Sequence, residues 1–286
     1  MECDPAPPYP PAASARLTGV EIDGRVRRYY ESTDEDIRLW GSARGTLTRL
    51  RTWDIFERFL PATGRIVDVG GGPGTHAQHL AEVGYDVVLV DPMERHVEAA
   101  RDRAAGGPPF EVELGDARAL PVDDATCDAA LVMGPLYHLA EAEERRRVLA
   151  EALRVLRPGG VLLAEVVCRH SWMLDATARG LLDEPGIFET FALNIDTGMS
   201  QFDELVSDGA FWGYFHHPLD LAAELEGAGF DMTGVVAVEG FGWLLGDLDR
   251  YMENPAGLLR ALALSEAEPT MEGCSEHAIG VAVRPR

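Results

Sequence analysis

The run Asp68-Val69-Gly70-Gly71-Gly72-Pro73-Gly74 constrains this chain more than any other stretch, because it writes a strand end, a glycine turn and a helix start in succession. The apolar segment Ile66 to Val69 leads into it, and Thr75 to Glu82 follows. Glycines at alternate positions after an acidic strand end leave bare backbone for a ligand to lie against, with helix-terminal amides facing it. A nucleotide-like ligand is the expectation. A dinucleotide fingerprint begun at Gly70 requires its third glycine at position 75, which Thr75 occupies.

Three further segments follow in order. Asp86 to Val90 reads as a buried parallel strand ending on Asp91, an acid placed to accept hydrogen bonds from two ribose hydroxyls. Phe110 to Leu114 gives a short third strand followed by Gly115-Asp116-Ala117. Cys127 to Met133 is a fourth strand leading into a helix that stops at Leu156-Arg157-Pro158-Gly159-Gly160, after which Val161 to Val167 supplies a fifth. Asp91 also has a structural reading as a helix cap, and Asp116 as a turn residue. Pro92 and Met93 can cover an adenine face, while Met93 suits a core equally well.

With Asp68 included, the loop reads D-x-G-x-G-x-G. This resembles the first motif of class I S-adenosylmethionine (SAM)-dependent methyltransferases, and the G-D-A and R-P-G-G segments resemble that family's third-strand and fifth-strand motifs. The resemblance spans about Arg25 to Arg286. It implies an α/β, doubly wound, mostly parallel seven-stranded sheet of Rossmann-like type, with an N-terminal helical segment and a lid insertion. It also implies SAM as cofactor and S-adenosylhomocysteine (SAH) as product. The cofactor residues carried over are Asp68, Gly70, Gly72, Gly74, Asp91, Pro92, Met93, Asp116, Ala117 and Met133, with Tyr29 from the segment Arg27-Arg28-Tyr29-Tyr30-Glu31. In many such enzymes that segment closes over the methionine moiety, and the choice between Tyr29 and Tyr30 stays open.

Methyl transfer is an in-line displacement that mainly needs alignment and exclusion of water. Gly134-Pro135-Leu136-Tyr137-His138-Leu139 resembles a run found in bacterial methyltransferases of small metabolites, as in natural product biosynthesis. His138 is the candidate base, with contact or structural roles as alternatives, and Tyr137 stands beside it as a candidate participant or, more in keeping with its type, a wall residue. Trp212, Tyr214 and His216 in Trp212-Gly213-Tyr214-Phe215-His216-His217-Pro218, together with Tyr30, are the candidate acceptor contacts. If that stretch is extended, Tyr214 and His216 share a face. His76 and His79 stand one helical turn apart but lack a third ligand nearby, so no metal is expected.

Composition narrows the partners. The chain has 286 residues, 46% of them hydrophobic, which suits one large domain. Its net charge of -23 argues against a nucleic-acid substrate. All 25 basic residues are Arg, which excludes lysine Schiff-base chemistry and a Walker lysine. Cys3, Cys127, Cys168 and Cys274 are far apart in sequence, so neither a disulfide framework nor a zinc knuckle is implied. The acidic, proline-rich opening is unlike a leader, and no apolar run approaches the roughly 18 residues of a span, so a cytoplasmic protein without membrane contact is expected.

Residues 1–18 are expected to be a disordered tail, and 19–286 a single domain. Within it, 19–64 form a helical cap, 65–168 the cofactor core, 169–217 the lid, and 218–286 complete the sheet. Glu141 with Arg145 and Glu143 with Arg147 are spaced as a solvated helix face. The functional expectation is SAM-dependent methylation of an O, N or S atom of a small or peptide-like acceptor by a monomer or homodimer. The alternatives are an NAD(P)-dependent oxidoreductase on a similar sheet and a catalytically silent SAM-binding protein.

Overall fold

The computed structural model describes residues 22–33, 35–201 and 211–286, so the expected tail lies outside the described residues. Three helices come first: α1 (Gly24–Ser32), α2 (Glu35–Trp40) and α3 (Ala43–Phe59). The Asp23 side chain caps α1 through the Arg25 amide, and Ser42 caps α3 through the amide of Gly45. Strands and helices then alternate as β1 (Arg65–Val69), α4 (Thr75–Glu82), β2 (Asp86–Asp91), α5 (Glu94–Gly106), β3 (Glu111–Leu114) and β4 (Cys127–Met133). Next come α6 (Pro135–His138), α7 (Ala142–Val155) and β5 (Leu156–Val167). The insertion holds α8 (Ser171–Ala178), α9 (Ile187–Thr197) and the hairpin strands β6 (Met199–Gln201) and β7 (Trp212–Tyr214). Finally α10 (Pro218–Gly227), β8 (Asp231–Ala237), a 3-10 turn (Gly242–Leu244), the helices α11 (Leu248–Met252), α12 (Ala256–Ser265) and α13 (Pro269–Glu272), and β9 (His277–Val283) close the chain.

Seven strands form one sheet in the order β3-β2-β1-β4-β5-β9-β8. The first five are mutually parallel and β9 is antiparallel to both its neighbours. This is the mostly parallel, doubly wound sheet expected from the sequence. Leu156 still pairs with Cys127 while Val161 pairs with Ala129, so the Arg-Pro-Gly-Gly segment bulges out before the strand resumes.

Alternation along the strands explains why both faces are covered. Val67, Val69, Val88, Val90, Ala130 and Val132 join one core with Leu149 and Ala152 of α7 and Leu221 and Leu225 of α10. Their neighbours Ile66, Val87, Leu89, Ala129 and Leu131 join another with Ile55 of α3, Leu80 of α4 and Ala100 of α5. On that second face, the C-terminal edge of the sheet carries Asp91, Asp68, Met133 and Glu165 in succession across β2, β1, β4 and β5. Four side chains at one edge therefore come from positions far apart in sequence.

The α7 charge run divides. Glu143 and Arg147 are exposed and 3.9 Å apart, but Arg145 is buried, paired with Glu224 at 2.7 Å, and donates to the carbonyls of Leu139 and Ala140. Arg145 thus pins the loop after α6 to α10, which corrects its reading as part of a solvated face.

Behind the edge, Glu239 is wholly buried and accepts from Thr48 Oγ1 (2.8 Å), Ser275 Oγ (3.0 Å) and the His277 backbone amide (2.9 Å), with His277 Nδ1 at 2.8 Å. Burial acts against both charges, yet the Glu239 charge lifts His277 to about 9 and His277 holds Glu239 at about 2. Glu239 therefore contributes stability above pH 4.5 that fades as pH falls toward 2, and His277 contributes stability below pH 6.5 that fades as pH rises through 9. Stability from this pair should be greatest between those limits. Glu239→Gln is expected to cost about 3 to 5 kcal/mol at pH 5.5 and less at pH 9.5, measured by urea unfolding at both values. An equal cost at both would count against the ion pair.

Candidate functional site

The glycine loop takes the conformation its sequence requires. Gly70, Gly72 and Gly74 have φ of 75°, 57° and 87°, the left-handed region open to glycine, and they are the alternate positions of the motif. Between them, a Cβ on Gly71 would lie 2.6 Å from Asp68 Oδ2. Nothing lies within 4 Å of the Cβ position of Gly72, so its backbone faces open space. That space is a cavity of about 590 Å³ at the C-terminal edge where the strand order reverses between β1 and β4, the place where ligands gather in such sheets.

Asp91 holds the wall together. Its Oδ2 accepts from the Gly72 amide at 2.9 Å, while its Oδ1 accepts from the Met93 amide at 2.9 Å and lies 3.1 Å from His96 Nδ1. A carboxylate offers about four acceptor positions, so room for a hydroxyl is left. Asp116 lines the cavity with Ala117, but its carboxylate is already forked by Arg118 at 2.6 to 3.2 Å. Pro92, Met93 and Met133 supply apolar surface.

Asp68 does not line the cavity. It is fully buried beneath the loop, with neither carboxylate oxygen partnered among the described residues. Burial, with the Asp91 charge second, pushes its carboxyl up to about 7. A cation arriving above the loop would hold it ionised. The orphaned acid, the bare Gly72 backbone and the acid at the end of β2 together fit the amino-acid and ribose parts of SAM. Gly74 also stays out of the cavity; it is the left-handed turn into α4, packed on Phe110 and Ala100.

Tyr137 and His138 lie on α6 and both line the cavity. Tyr30 reaches over from α1 to place its hydroxyl 2.6 Å from His138 Nε2. Burial pushes His138 down to about 4, so at neutral pH the imidazole is uncharged. Tyr30 also lines a second cavity of about 200 Å³, and Tyr29 lines only that one. Of the two tyrosines, whose order the sequence leaves open, it is Tyr30 that reaches the first cavity, because a one-residue step on a helix turns the side chain by about 100°. Trp212 lines the first cavity under the Arg25 guanidinium, which sits 3.3 Å from its ring centroid.

Tyr214 and His216 do share a face, but it is the wrong one for an acceptor: neither lines either cavity. The Tyr214 ring carries the Arg145 guanidinium at 4.0 Å, and buried His216 stands 3.5 Å from Glu224. Phe215, between them, takes the cavity side. Gly213 permits this packing, since a Cβ there would fall 2.2 Å from the Tyr137 carbonyl oxygen.

His76 and His79 are held by Trp53, which donates to His76 Nδ1 at 3.1 Å and stacks on His79 at 3.8 Å. Glu239, Glu276 and His277 have metal-like spacing, but Arg44 forks Glu276 and His277 balances Glu239. Sequence reasoning missed Glu35 and Arg38 of α2, His96 of α5 and Glu165 of β5, all of which line the first cavity. A signal existed for Glu165, an acid within the otherwise apolar run Val161 to Val167.

Residues 66–160 match the family model described as a methyltransferase domain. An uncharacterized methyltransferase of Mycobacterium tuberculosis is 37% identical over 127 residues, 43% of this chain and 49% of that protein. The demethylmenaquinone methyltransferase of Clavibacter sepedonicus is 39% identical over 107 residues, 37% of this chain and 41% of that one. The chain thus spans half or less of the length of these curated relatives. Among solved structures, a SAM-dependent methyltransferase of Methanosarcina mazei superposes with a TM-score of 0.57 at 18% identity, covering 81% of this chain and 97% of that one. Asp91→Ala is expected to weaken SAH binding by about 1.5 to 3 kcal/mol through loss of charge-assisted hydrogen bonds, measured by calorimetry. Unchanged affinity would remove Asp91 from the ribose contact.

Proposed function

We propose that this chain, which carries a class I SAM-dependent methyltransferase domain, transfers a methyl group from SAM to an O, N or S atom of a small or peptide-like acceptor. The observation that carries the reading is the first cavity: a bare glycine loop, a buried unpartnered Asp68 beneath it and Asp91 beside it, at the switch point of a methyltransferase fold. When bound, SAM supplies a methyl group on a positively charged sulfur that leaves as a neutral thioether.

The protein's part is binding, orientation and exclusion of water. Asp91 would hold a ribose hydroxyl at its remaining acceptor position, and Asp116, shared with Arg118, the adenine amino group. Pro92, Met93 and Met133 would cover the apolar faces. Trp212 and the first helices roof the space, and Tyr30 and Tyr137 stand between the two cavities. His138, kept neutral by burial and joined to the Tyr30 hydroxyl, would receive an acceptor proton.

The acidic composition supports a partner other than nucleic acid. Among the described residues no helix is long and apolar enough to cross a membrane. The same reading assigns a cytoplasmic setting and a monomer or homodimer.

The test is transfer of labelled methyl from SAM to an acceptor panel, with His138→Ala compared against wild type. Loss of one proton acceptor is expected to lower turnover by about 10²- to 10⁴-fold while SAH affinity stays within about twofold. Full activity across pH in the variant would refute proton transfer to His138. No transfer to any acceptor would favour the silent binding protein.

A further inference from the structure

Resting on the methyl-transfer reading, we infer that the second cavity is the acceptor subsite and that it takes a small amine-bearing molecule whose cationic head is held by Glu165.

Strand β5 runs from one cavity into the other. Glu165 and Val167 are two residues apart and so share a face of the sheet; Glu165 lines the first cavity and Val167 the second. Tyr30, Glu35, Arg38 and Tyr137 line both, so the two spaces meet beside Glu165. An acceptor seated in the second cavity therefore presents one end to the first, where an ammonium would bind through Glu165 and give one proton to His138 before its nitrogen lone pair takes the methyl group.

Glu165 is 7% exposed, and among the described residues no hydrogen bond or ion pair reaches its carboxylate. The other acids near this junction are matched. Glu35 has Arg38 at 2.7 Å, while Asp175 and Glu276 share Arg44, each at 2.6 Å. Asp91 has two backbone amides and His96. Burial raises the Glu165 carboxyl; His277 and Arg38 lower it from a distance, and Glu239 and Glu276 raise it. The Glu165 carboxylate opens onto the first cavity with no protein donor on it, and an arriving ammonium supplies both the charge and the donors that the walls do not.

The walls select the rest of the ligand. Phe211 contacts Tyr29 edge-on at 5.4 Å and Phe215 at 5.7 Å, with Trp172 completing the ring-lined chamber. Aromatic faces favour both a flat apolar body and a nearby cation. Its volume of about 200 Å³ lies below the roughly 300 to 1,000 Å³ of drug-sized pockets. An arylalkylamine of one ring meets these demands.

The full chain, saturated with SAH, would be titrated calorimetrically with phenethylamine, phenethyl alcohol and 3-phenylpropionate. The amine is expected to bind about tenfold more tightly than the alcohol, and the carboxylate more weakly than either. Glu165→Gln should abolish that preference in the SAH-saturated protein. Phe211→Ala should weaken amine and alcohol alike with SAH affinity retained, and it decides the matter if Glu165→Gln loses SAH. No amine binding, equal binding of amine and alcohol, or a preference that survives in Glu165→Gln overturns the subsite. Failure of the wild type to bind SAH overturns the methyl-transfer reading instead.

Discussion

One carboxylate holds the site in shape. Asp91 ends β2, yet it accepts from the Gly72 amide in the loop after β1 and from the Met93 amide in its own loop. Two neighbouring parallel strands are thereby joined at the edge where their loops would otherwise diverge. The glycines make the contact possible: Gly70, Gly72 and Gly74 supply the left-handed backbone, and side chains at Gly70 or Gly71 would meet Pro135 or Asp68. Geometry of the loop and occupancy of the acid are thus one constraint. A ligand that replaces any of these hydrogen bonds must reproduce it or lose affinity.

The rest of the molecule braces that edge. Asp36 of α2 accepts from Thr75 Oγ1 at 2.8 Å and pairs with Arg103 of α5 at 2.5 Å, while Arg103 donates to the Pro73 carbonyl. Arg95 donates to the Tyr30 carbonyl, which fixes α1 over α5. The first helices are therefore tied to the elements on either side of the glycine loop, and this sets Tyr30 against His138. Burial at the edge has a chemical consequence: Asp68 is raised and His138 lowered, so charge there depends on what binds.

Much of the cofactor side was legible in the sequence, because each of its features is local. A strand that ends on an acid puts that acid at the edge whatever the rest of the fold does, which places Asp91 at the cavity, and the short turn after β3 brings Asp116 to the same edge. Locality also explains the failures. Alternation says that Tyr214 and His216 share a face, but not which face meets the cavity; Arg145 and Glu224, distant in sequence, draw them to the other side. Tyr29 and Tyr30 differ by one helical step, and only docking of α1 on α5 separates them. Asp68 shares a face with Asp91 and Glu165 but acts from below the loop, because the backbone at Gly71 covers its carboxylate. Glu35, Arg38, His96 and Glu165 come together only through tertiary packing.

The central claim is that this edge is built for the amino-acid and ribose groups of SAM rather than for a dinucleotide. Calorimetric titration of the purified chain with SAH, SAM and NAD tests it most directly. The account expects SAH and SAM to bind and NAD to give no heat beyond dilution. Binding of NAD with neither of the other two would contradict it and return the chain to the oxidoreductases.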